Sequence, residues 1–235
     1  MTIELFEVGG CVRDEILGKR SKDIDFSVEA PSFTAMREFL VHEGYEIFVE
    51  TPQFLTIRAR CPQHEVGYKG LTADFVLARK DGEYSDGRRP DEVTPGTIYD
   101  DLARRDFTMN AIAKSSDGTI IDPFDGRRDI DDRVIRCVGS ARDRLLEDAL
   151  RALRAVRFSI TLGFFIADDV KSAIQSKEVI ESLASVSVER RRDELNKAFR
   201  ADSLRTFDLL AQLPASFRTA CFSDGLRLES TLKGV

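Results

Sequence analysis

Two short motifs near the beginning of the chain are the most informative part of the sequence, namely Val-Gly-Gly-Cys-Val-Arg-Asp at residues 8–14 and Asp-Ile-Asp at residues 23–25. Side chains two apart on a strand point to the same face, so Asp23 and Asp25 should present two carboxylates to one point. Such carboxylates repel each other unless a cation lies between them, and Mg2+ bound to phosphate oxygens suits that position. The upstream glycines and Arg13 place flexible backbone and a cation where a triphosphate would lie. The two motifs therefore predict a nucleotidyl-transfer site with Mg2+ as cofactor.

The composition is that of a globular protein. The chain has 235 residues, 42% of them hydrophobic and 32% charged, which is enough for one or two domains. No apolar run approaches the roughly 20 residues that span a bilayer, and the acidic start does not resemble a signal peptide. Four scattered cysteines and two histidines do not favour a zinc site or a disulfide framework. We therefore expect a cytoplasmic protein that does not bind a membrane.

Charge is distributed unevenly along the chain. Residues 1–126 hold 15 basic and 24 acidic side chains, whereas residues 127–235 hold 20 basic and 17 acidic ones. A net charge of −6 argues against indiscriminate binding of nucleic acid, because that affinity depends on neutralised phosphates. A specific RNA bound along a local arginine-rich face is compatible with this balance.

Strand and helix signals alternate in the first part of the chain, and helical signals dominate from about residue 140. We predict strands at residues 3–8, 24–28, 47–49, 55–60, 72–78, 119–121 and 134–138. We predict helices at residues 12–17, 33–43, 102–113, 141–159, 168–176, 188–199 and 203–213. The polar segment 79–95 is rich in Gly, Pro and Asp and predicts a loop. The pattern indicates an α+β head followed by an all-α remainder.

Two further motifs of the first part carry chemically useful side chains. Asp74 lies within an apolar strand, where it is either on a solvated face or performing a task. A third carboxylate there would complete a two-metal site. Arg105 can reach phosphate, while Asp106 and Asn110 share a helix face if residues 102–113 are helical and would suit ribose hydroxyls. A capped, solvated helix start is the alternative interpretation of this motif.

The long helix predicted at residues 141–159 carries charges at every third position. Asp148 and Arg151 can act together, because neighbours at i, i+3 touch on a helix. A carboxylate beside a guanidinium can read the edge of a base. Arg154 and Arg157 follow at the same spacing, although Arg157 points well around the helix. An ordinary salt-bridged helix face is the alternative.

Five motifs occur in a specific order, which is more informative than any one of them. They are Val-Gly-Gly-x-Val-Arg-Asp (8–14), Lys-Asp-Ile-Asp (22–25), Arg-Arg-Asp-Phe-Thr-x-Asn-Ala (104–111), Glu-Asp-x-Leu-Arg-x-Leu-Arg-Ala-x-Arg-Phe (147–158) and Glu-Arg (189–190). This set resembles the class II tRNA nucleotidyltransferases, the CCA-adding enzymes of the DNA polymerase β superfamily, and their bacterial poly(A) polymerase relatives. The resemblance covers about residues 1–200.

The resemblance implies a polymerase-β-like head at residues 1–139, a helical neck at 140–200 and a small helical body at 201–235. It implies that Gly10 and Arg13 contact the triphosphate and that Asp23, Asp25 and Asp74 form the carboxylate set for Mg2+. It also implies that Arg105, Asp106 and Asn110 bind the ribose and phosphates. Asp148 and Arg151 would read the base edge, and Arg154 and Arg157 would support that site. Glu189 and Arg190 would stabilise the neck. The 79–95 loop would be the flexible element associated with adding the terminal adenosine.

The function implied is addition of CCA, or part of it, to the 3′ end of tRNA from CTP and ATP, with no stable protein partner. A poly(A) polymerase or A-adding enzyme acting on RNA 3′ ends is one alternative. An inactive RNA-binding module that kept the fold is another. Members of the class usually continue with body and tail domains, so we expect either a compact version that binds the acceptor end or a fragment.

Overall fold

The structure is a computed structural model that describes residues 3–19, 21, 24–64, 67–82 and 93–222. The chain forms two compact units, which divide between Asp131 and Asp132. Of the predicted site residues, Asp23 lies outside the described residues, and so does most of the predicted loop, at positions 83–92. The three-part division at residues 139 and 200 stays a prediction.

The first unit is built on a mixed sheet. Its strands are β1 (Glu4–Val8), β2 (Ile24–Glu29), β3 (Glu46–Thr51), β4 (Thr56–Arg60), β5 (Thr72–Leu77), β6 (Arg79–Asp81), β7 (Val93–Pro95), β8 (Ala113–Ser115) and β9 (Ile120–Ile121). Seven of them pair in the order β3-β4-β5-β2-β1-β8-β9, while β6 and β7 form a separate antiparallel pair. The β2–β5 pair is parallel and the other pairs of the large sheet are antiparallel. This confirms the predicted α+β class.

The helices of this unit are α1 (Gly10–Ile16), α2 (Phe33–His42), α3 (Ile98–Ala103) and α4 (Gly126–Asp131). The hydroxyl of Ser32 caps α2 by accepting a hydrogen bond from the Ala35 N–H, as the sequence predicts. Met36 and Leu40 of α2 join the core on one face of the sheet. Alternating residues of β2 and β5 supply much of the remaining core, namely Ile24, Phe26, Val28, Ala73, Phe75 and Leu77, and Ile57 and Ala59 of β4 also belong to it. Because side chains alternate along a strand, Asp25 and Asp74 lie on the opposite face.

The prediction of a helix at residues 102–113 is wrong. Helix α3 starts earlier, because Thr97 and Asp100 form a reciprocal capping box at its beginning, and it ends at Ala103. Phe107 has an extended backbone and donates its N–H to the Asp106 carboxylate. A short 3-10 turn at Thr108–Asn110 then leads into β8.

The second unit is mainly helical. Its helices are α5 (Ala141–Glu147), α6 (Leu150–Leu162), α7 (Asp168–Ile174), α8 (Lys177–Ser185), α9 (Val188–Ala201), α10 (Ser203–Gln212) and α11 (Ala215–Phe222). Two short parallel strands, β10 (Val134–Ile135) and β11 (Phe165–Ile166), accompany them. The sequence did not predict α4, α8, α11, β8 or β11. It also missed β6 and β7, which pair at the two ends of the segment predicted to be a loop. None of the helices in the described part of the chain has the length and apolar character that a bilayer crossing demands.

The single helix predicted at residues 141–159 is interrupted. Asp148 has an extended backbone (φ −152°, ψ 101°) between α5 and α6. Its carboxylate accepts a hydrogen bond from the Leu150 N–H, and its carbonyl accepts one from the Arg151 N–H. These bonds satisfy N–H groups at the start of α6 and make the break a defined capping turn.

Candidate active site

Gly9 makes the turn between β1 and α1. Its backbone angles (φ 76°, ψ −126°) suit glycine, and a Cβ here would lie 2.8 Å from the Nη1 atom of Arg105. Because Gly9 has no side chain, the Arg105 guanidinium can lie against the backbone just before Gly10, where α1 begins. The structure thus brings together the glycine pair and Arg105, two parts of the predicted site that are distant in sequence.

Arg13, Asn110 and Asp106 form a buried chain of hydrogen bonds beside this turn. The Nη1 atom of Arg13 donates to Asn110 Oδ1 at 2.7 Å, and Asn110 Nδ2 donates to Asp106 Oδ1 at 3.0 Å. All three residues are less than one-tenth exposed. A 3-10 turn, rather than the helix face that the sequence predicted, brings Asn110 to Asp106. Three predicted site residues therefore meet in one network.

Asp101 is a site residue that the sequence analysis missed. Its buried carboxylate accepts bonds from Arg105 at 3.2 Å (Nε) and 2.8 Å (Nη2), and it also pairs with Arg104. Burial alone would raise the pKa of this carboxyl, but the guanidinium groups of Arg105 and Arg104 lower it overall. The i, i+4 spacing of Asp101 and Arg105 is compatible with such a pair, but α3 ends at Ala103, so the spacing alone did not indicate it. Asp101 therefore fixes the direction of Arg105.

The two described carboxylates of the predicted metal set lie side by side. Asp25 on β2 is the register partner of Asp74 on the parallel strand β5. Neighbouring strands are about 4.8 Å apart and registered residues of a parallel pair share a face, so the two carboxylates are adjacent. Among the described residues, which exclude Asp23, no cluster of three or more potential metal ligands is present.

Asp74 also binds a cation of the protein itself. Arg58 on β4 is its register partner on the other side, and Nε and Nη2 of Arg58 donate to Oδ1 and Oδ2 of Asp74 at 2.6 and 2.5 Å. Arg58 is about half exposed, so this ion pair faces solvent. The sequence analysis did not predict this partner. Any cation that binds the Asp74 carboxylate must compete with the Arg58 guanidinium.

In the second unit, Asp148 and Arg151 are each fixed by another side chain. Asp148 Oδ2 accepts a hydrogen bond from Arg190 Nη2 at 2.6 Å. Arg151 Nη1 donates to Glu147 Oε2 at 2.6 Å and to the Arg144 carbonyl at 2.8 Å. Asp148 and Arg151 flank the turn between α5 and α6, which gives the predicted base-reading pair a fixed backbone.

Arg154 and Arg157 lie further along α6. Arg157 Nε donates to Glu194 Oε2 on α9 at 2.5 Å, and its guanidinium lies 3.8 Å from the centre of the Phe158 ring. Burial would raise the pKa of Glu194, but Arg157 lowers it overall. The Arg154 guanidinium lies 5.5 Å from the same ring. Arg157 therefore joins α6 to α9, while Glu189 is exposed in the first turn of α9.

A family profile described as the Poly A polymerase head domain matches residues 5–136, more than half of the chain. The chain belongs to this family. A second profile, described as the probable RNA and SrmB-binding site of polymerase A, matches residues 163–214.

Relatives in this family are similar over most of the chain. The CCA-adding enzyme of Geobacillus thermodenitrificans is 43% identical over 195 residues, which are 83% of this chain and 45% of that protein. The crystal structure of the Bacillus stearothermophilus CCA-adding enzyme in complex with CTP is 35% identical with a TM-score of 0.76, and the match covers 91% of this chain and 49% of that chain. A tRNA nucleotidyltransferase complexed with a primer tRNA and an incoming ATP analog is 30% identical with a TM-score of 0.69, over 89% of this chain and 57% of that one.

The chain spans about half the length of the known relatives it matches. The match to the head-domain profile includes the strands that carry Asp25 and Asp74.

Proposed function

We propose that this chain is the nucleotidyl-transferring part of an enzyme that adds CMP and AMP from CTP and ATP to the 3′ end of tRNA without a template. The observation that carries the proposal is the in-register pair Asp25 and Asp74 on the same unit as the Arg13–Asn110–Asp106 chain. The related structures described as complexes with CTP, or with a primer tRNA and an ATP analog, support the choice of substrates. The cytoplasmic location expected from the sequence belongs to this proposal.

The carboxylate pair suits a hard divalent cation. Asp25 and Asp74 offer adjacent oxygen donors, which are the ligands that Mg2+ prefers. We assign the ion to Asp25 together with Asp23, and to Asp74 once Arg58 has released it. Bound there, Mg2+ would lower the pKa of the terminal 3′-hydroxyl of the RNA and offset charge on the departing pyrophosphate.

The buried network would bind the constant part of the nucleotide. Arg13 and Arg105 are cations beside the Gly9–Gly10 turn, which suits binding of phosphate oxygens. Asp106 and Asn110 supply an acceptor and an amide for ribose hydroxyls. Because triphosphate and ribose are the same in CTP and ATP, one fixed arrangement serves both substrates.

The second unit would select the base. Asp148 offers carboxylate acceptors and Arg151 offers guanidinium donors, which together can match the edge of a pyrimidine or a purine. Arg190 and Glu147 orient these two groups, and Arg154 and Arg157 support helix α6.

The test is addition to tRNA substrates of defined length. We expect the purified protein, supplied with Mg2+, CTP and ATP, to extend tRNAs that end at the discriminator base, at C or at CC, with products resolved to one nucleotide. Completion of CCA on all three substrates would support the proposal. An absence of Mg2+-dependent extension, with nucleotide binding retained, would instead support the inactive RNA-binding module.

The description of the matched head domain favours poly(A) polymerase as a second candidate. ATP alone, offered with an unstructured RNA, separates the two functions. A long tail would identify the polymerase, and a single adenosine added to tRNA ending in CC would identify the tRNA enzyme.

A further inference from the structure

Helix α4 is bonded to the 3-10 turn that carries Asn110. The hydroxyl of Thr108, the first residue of that turn, donates a hydrogen bond to Asp129 Oδ2 on α4 at 2.7 Å. Both residues are buried, so this bond lies in a low-dielectric environment where it is stronger than in water. The bond therefore ties the beginning of the turn to α4.

Gly126 lets α4 approach the backbone of the turn closely. A Cβ at this first position of the helix would lie 2.2 Å from the carbonyl oxygen of Thr108 and 2.9 Å from Cγ1 of Ile112. No side chain fits into that space, so the helix and the turn meet at backbone distance. The start of α4 is itself fixed by Asp122, which accepts hydrogen bonds from the N–H groups of Gly126 and Arg127 at 2.7 and 2.9 Å. The helix thus forms a fixed support for the turn.

The supported turn sets the position of Asn110. The Thr108 carbonyl accepts a hydrogen bond from the Ala111 N–H at 2.9 Å, which closes the turn around Asn110. Asn110 Oδ1 accepts a hydrogen bond from Arg13 at 2.7 Å, and Nδ2 donates one to Asp106 at 3.0 Å. An amide has its acceptor and its donors in one plane, so both bonds form only when the backbone at this position is held in place. A shift of Thr108 would therefore disturb Arg13 and Asp106 together.

We propose that Thr108 and Asp129 are positioning residues for nucleotide binding. Their hydrogen bond holds the turn in the place where Asn110 can orient Arg13 for the triphosphate and Asp106 for the ribose. Both act through Asn110, and neither is assigned a contact with the nucleotide. The inference rests on the proposed function of the Arg13–Asn110–Asp106 chain.

A purely structural role for this hydrogen bond is the alternative. Any buried hydrogen bond contributes to the free energy of unfolding, so a loss of stability does not distinguish the two roles. The split between KM and kcat does, when it is measured well below the melting temperature of each variant. Triphosphate and ribose are bound before and during the reaction, so a misplaced Asn110 should raise KM for CTP and ATP alike with little change in kcat.

The test compares Thr108→Val with Thr108→Ser in single-nucleotide additions. Valine keeps the branched shape and removes the hydroxyl, whereas serine keeps the hydroxyl. We expect Thr108→Val to raise KM for both nucleotides about five- to tenfold with kcat within about twofold, and Thr108→Ser to stay within about twofold of the unchanged protein in both. Asp129→Asn changes the other partner and leaves a weaker, neutral acceptor, so KM should rise about two- to threefold in a variant that keeps the size of the side chain.

Thr206→Val is the matched control. Thr206 is a fully buried threonine of the second unit, and its hydroxyl donates to the Asp202 carbonyl at 2.6 Å. The change removes a buried hydrogen bond outside the nucleotide-binding network. We expect the melting temperature to fall while KM and kcat stay within about twofold of the unchanged protein.

Calorimetric binding of CTP and ATP without RNA separates this inference from the proposed function. Weaker binding by Thr108→Val, restored in Thr108→Ser, would support the positioning role even if the protein transferred no nucleotide to tRNA, a result that would contradict only the proposed function. An unchanged KM and Kd in Thr108→Val, a defect that Thr108→Ser shares, or one that Thr206→Val reproduces would overturn the inference. An absence of nucleotide binding by the unchanged protein would overturn both.

Discussion

The two units fix their polar side chains in different ways. In the first unit, Arg105 is fixed by Asp101, whose side chain is 1% exposed, and Arg13 by the buried amide of Asn110 together with the partly exposed carboxylate of Asp14. In the second unit, Arg190 and Glu147, both about one-quarter exposed, fix Asp148 and Arg151. Breaking a buried ion pair by removing one partner is far more costly than breaking a solvated one.

This difference follows what each unit would have to recognise. Triphosphate and ribose are the same for CTP and ATP, so the groups that bind them can be fixed by buried partners. The base changes from cytosine to adenine, so groups that read it benefit from partners that can rearrange at low cost. Under the proposed function, the first unit would bind the constant part of the nucleotide and the second unit would read the base.

The largest effect is expected at Asp25. Asp25→Asn removes an ionised oxygen ligand while keeping the shape of the side chain, so incorporation of labelled CTP and ATP should fall at least about a thousandfold. Circular dichroism and thermal unfolding should stay nearly unchanged, because Asp25 is only partly buried and the substitution keeps its size. Activity close to that of the unchanged protein would contradict the metal assignment.

The next largest effect is expected at Asp101. Asp101→Asn leaves the Arg104 and Arg105 guanidinium groups without their buried counter-charge, and we expect a loss of about 3 kcal/mol in the free energy of unfolding. Asp100→Asn on the same helix is the matched control and should cost about 1 kcal/mol or less, since it changes only the capping box. Denaturant unfolding measures both.

The pH dependence of the Asp101 effect has a defined sign. The folded protein lowers the pKa of Asp101 below its ordinary value of 3.8, so its contribution to stability is fully present above that pH and is lost as the pH falls through the lowered pKa. The difference in unfolding free energy between the unchanged protein and Asp101→Asn should therefore shrink in acid below about pH 4. A difference that grows in acid would show that Asp101 is not held as a carboxylate.

A smaller effect is expected at Arg190. Arg190→Ala removes the partner of Asp148 in a partly solvated pair worth about 1 kcal/mol, so the KM for CTP or ATP should rise roughly fivefold. The melting temperature should change little. A large loss in the free energy of unfolding would show that the Arg190–Asp148 pair contributes as much to stability as the buried ion pair of Asp101.

The smallest effect is expected at Arg58. Arg58→Ala frees the Asp74 carboxylate from an ion pair that is about half exposed on the arginine side. If Asp74 binds the ion, the concentration of Mg2+ or Mn2+ at half-saturation should fall about two- to threefold in a direct binding measurement. A half-saturation that stays the same or rises would remove Asp74 from the metal set.

The fold was predictable where local signals agree with packing. The strands around Asp25 and Asp74 were found because their apolar alternation is also the core pattern, and Ser32 marked the start of α2. The helix predicted at residues 102–113 failed because Asp106 bonds to the backbone of Phe107 and a 3-10 turn follows. Such side chain–backbone bonds compete with a helix, and the spacing of apolar residues carries no signal for them.

The sequence motifs named side chains that lie close together in the structure, but not the partners that fix them. The motifs identified Arg13, Arg105, Asp106 and Asn110, which the structure places around the Gly9 turn. Asp101 and Arg58 were missed because an acidic residue on a helix and a basic one on a strand are ordinary surface charges until tertiary contacts are known. The turn at Asp148 was likewise concealed by a continuous apolar periodicity across α5 and α6.

The most direct test of the division between constant and variable recognition is the ratio of CTP to ATP incorporation in single-nucleotide additions. Asn110→Ala in the first unit should lower both additions by the same factor and leave the ratio unchanged. Asp148→Ala in the second unit should change the ratio at least about tenfold, because it removes the proposed contact to the base edge. A ratio altered by Asn110→Ala, or unaltered by Asp148→Ala, would contradict the account.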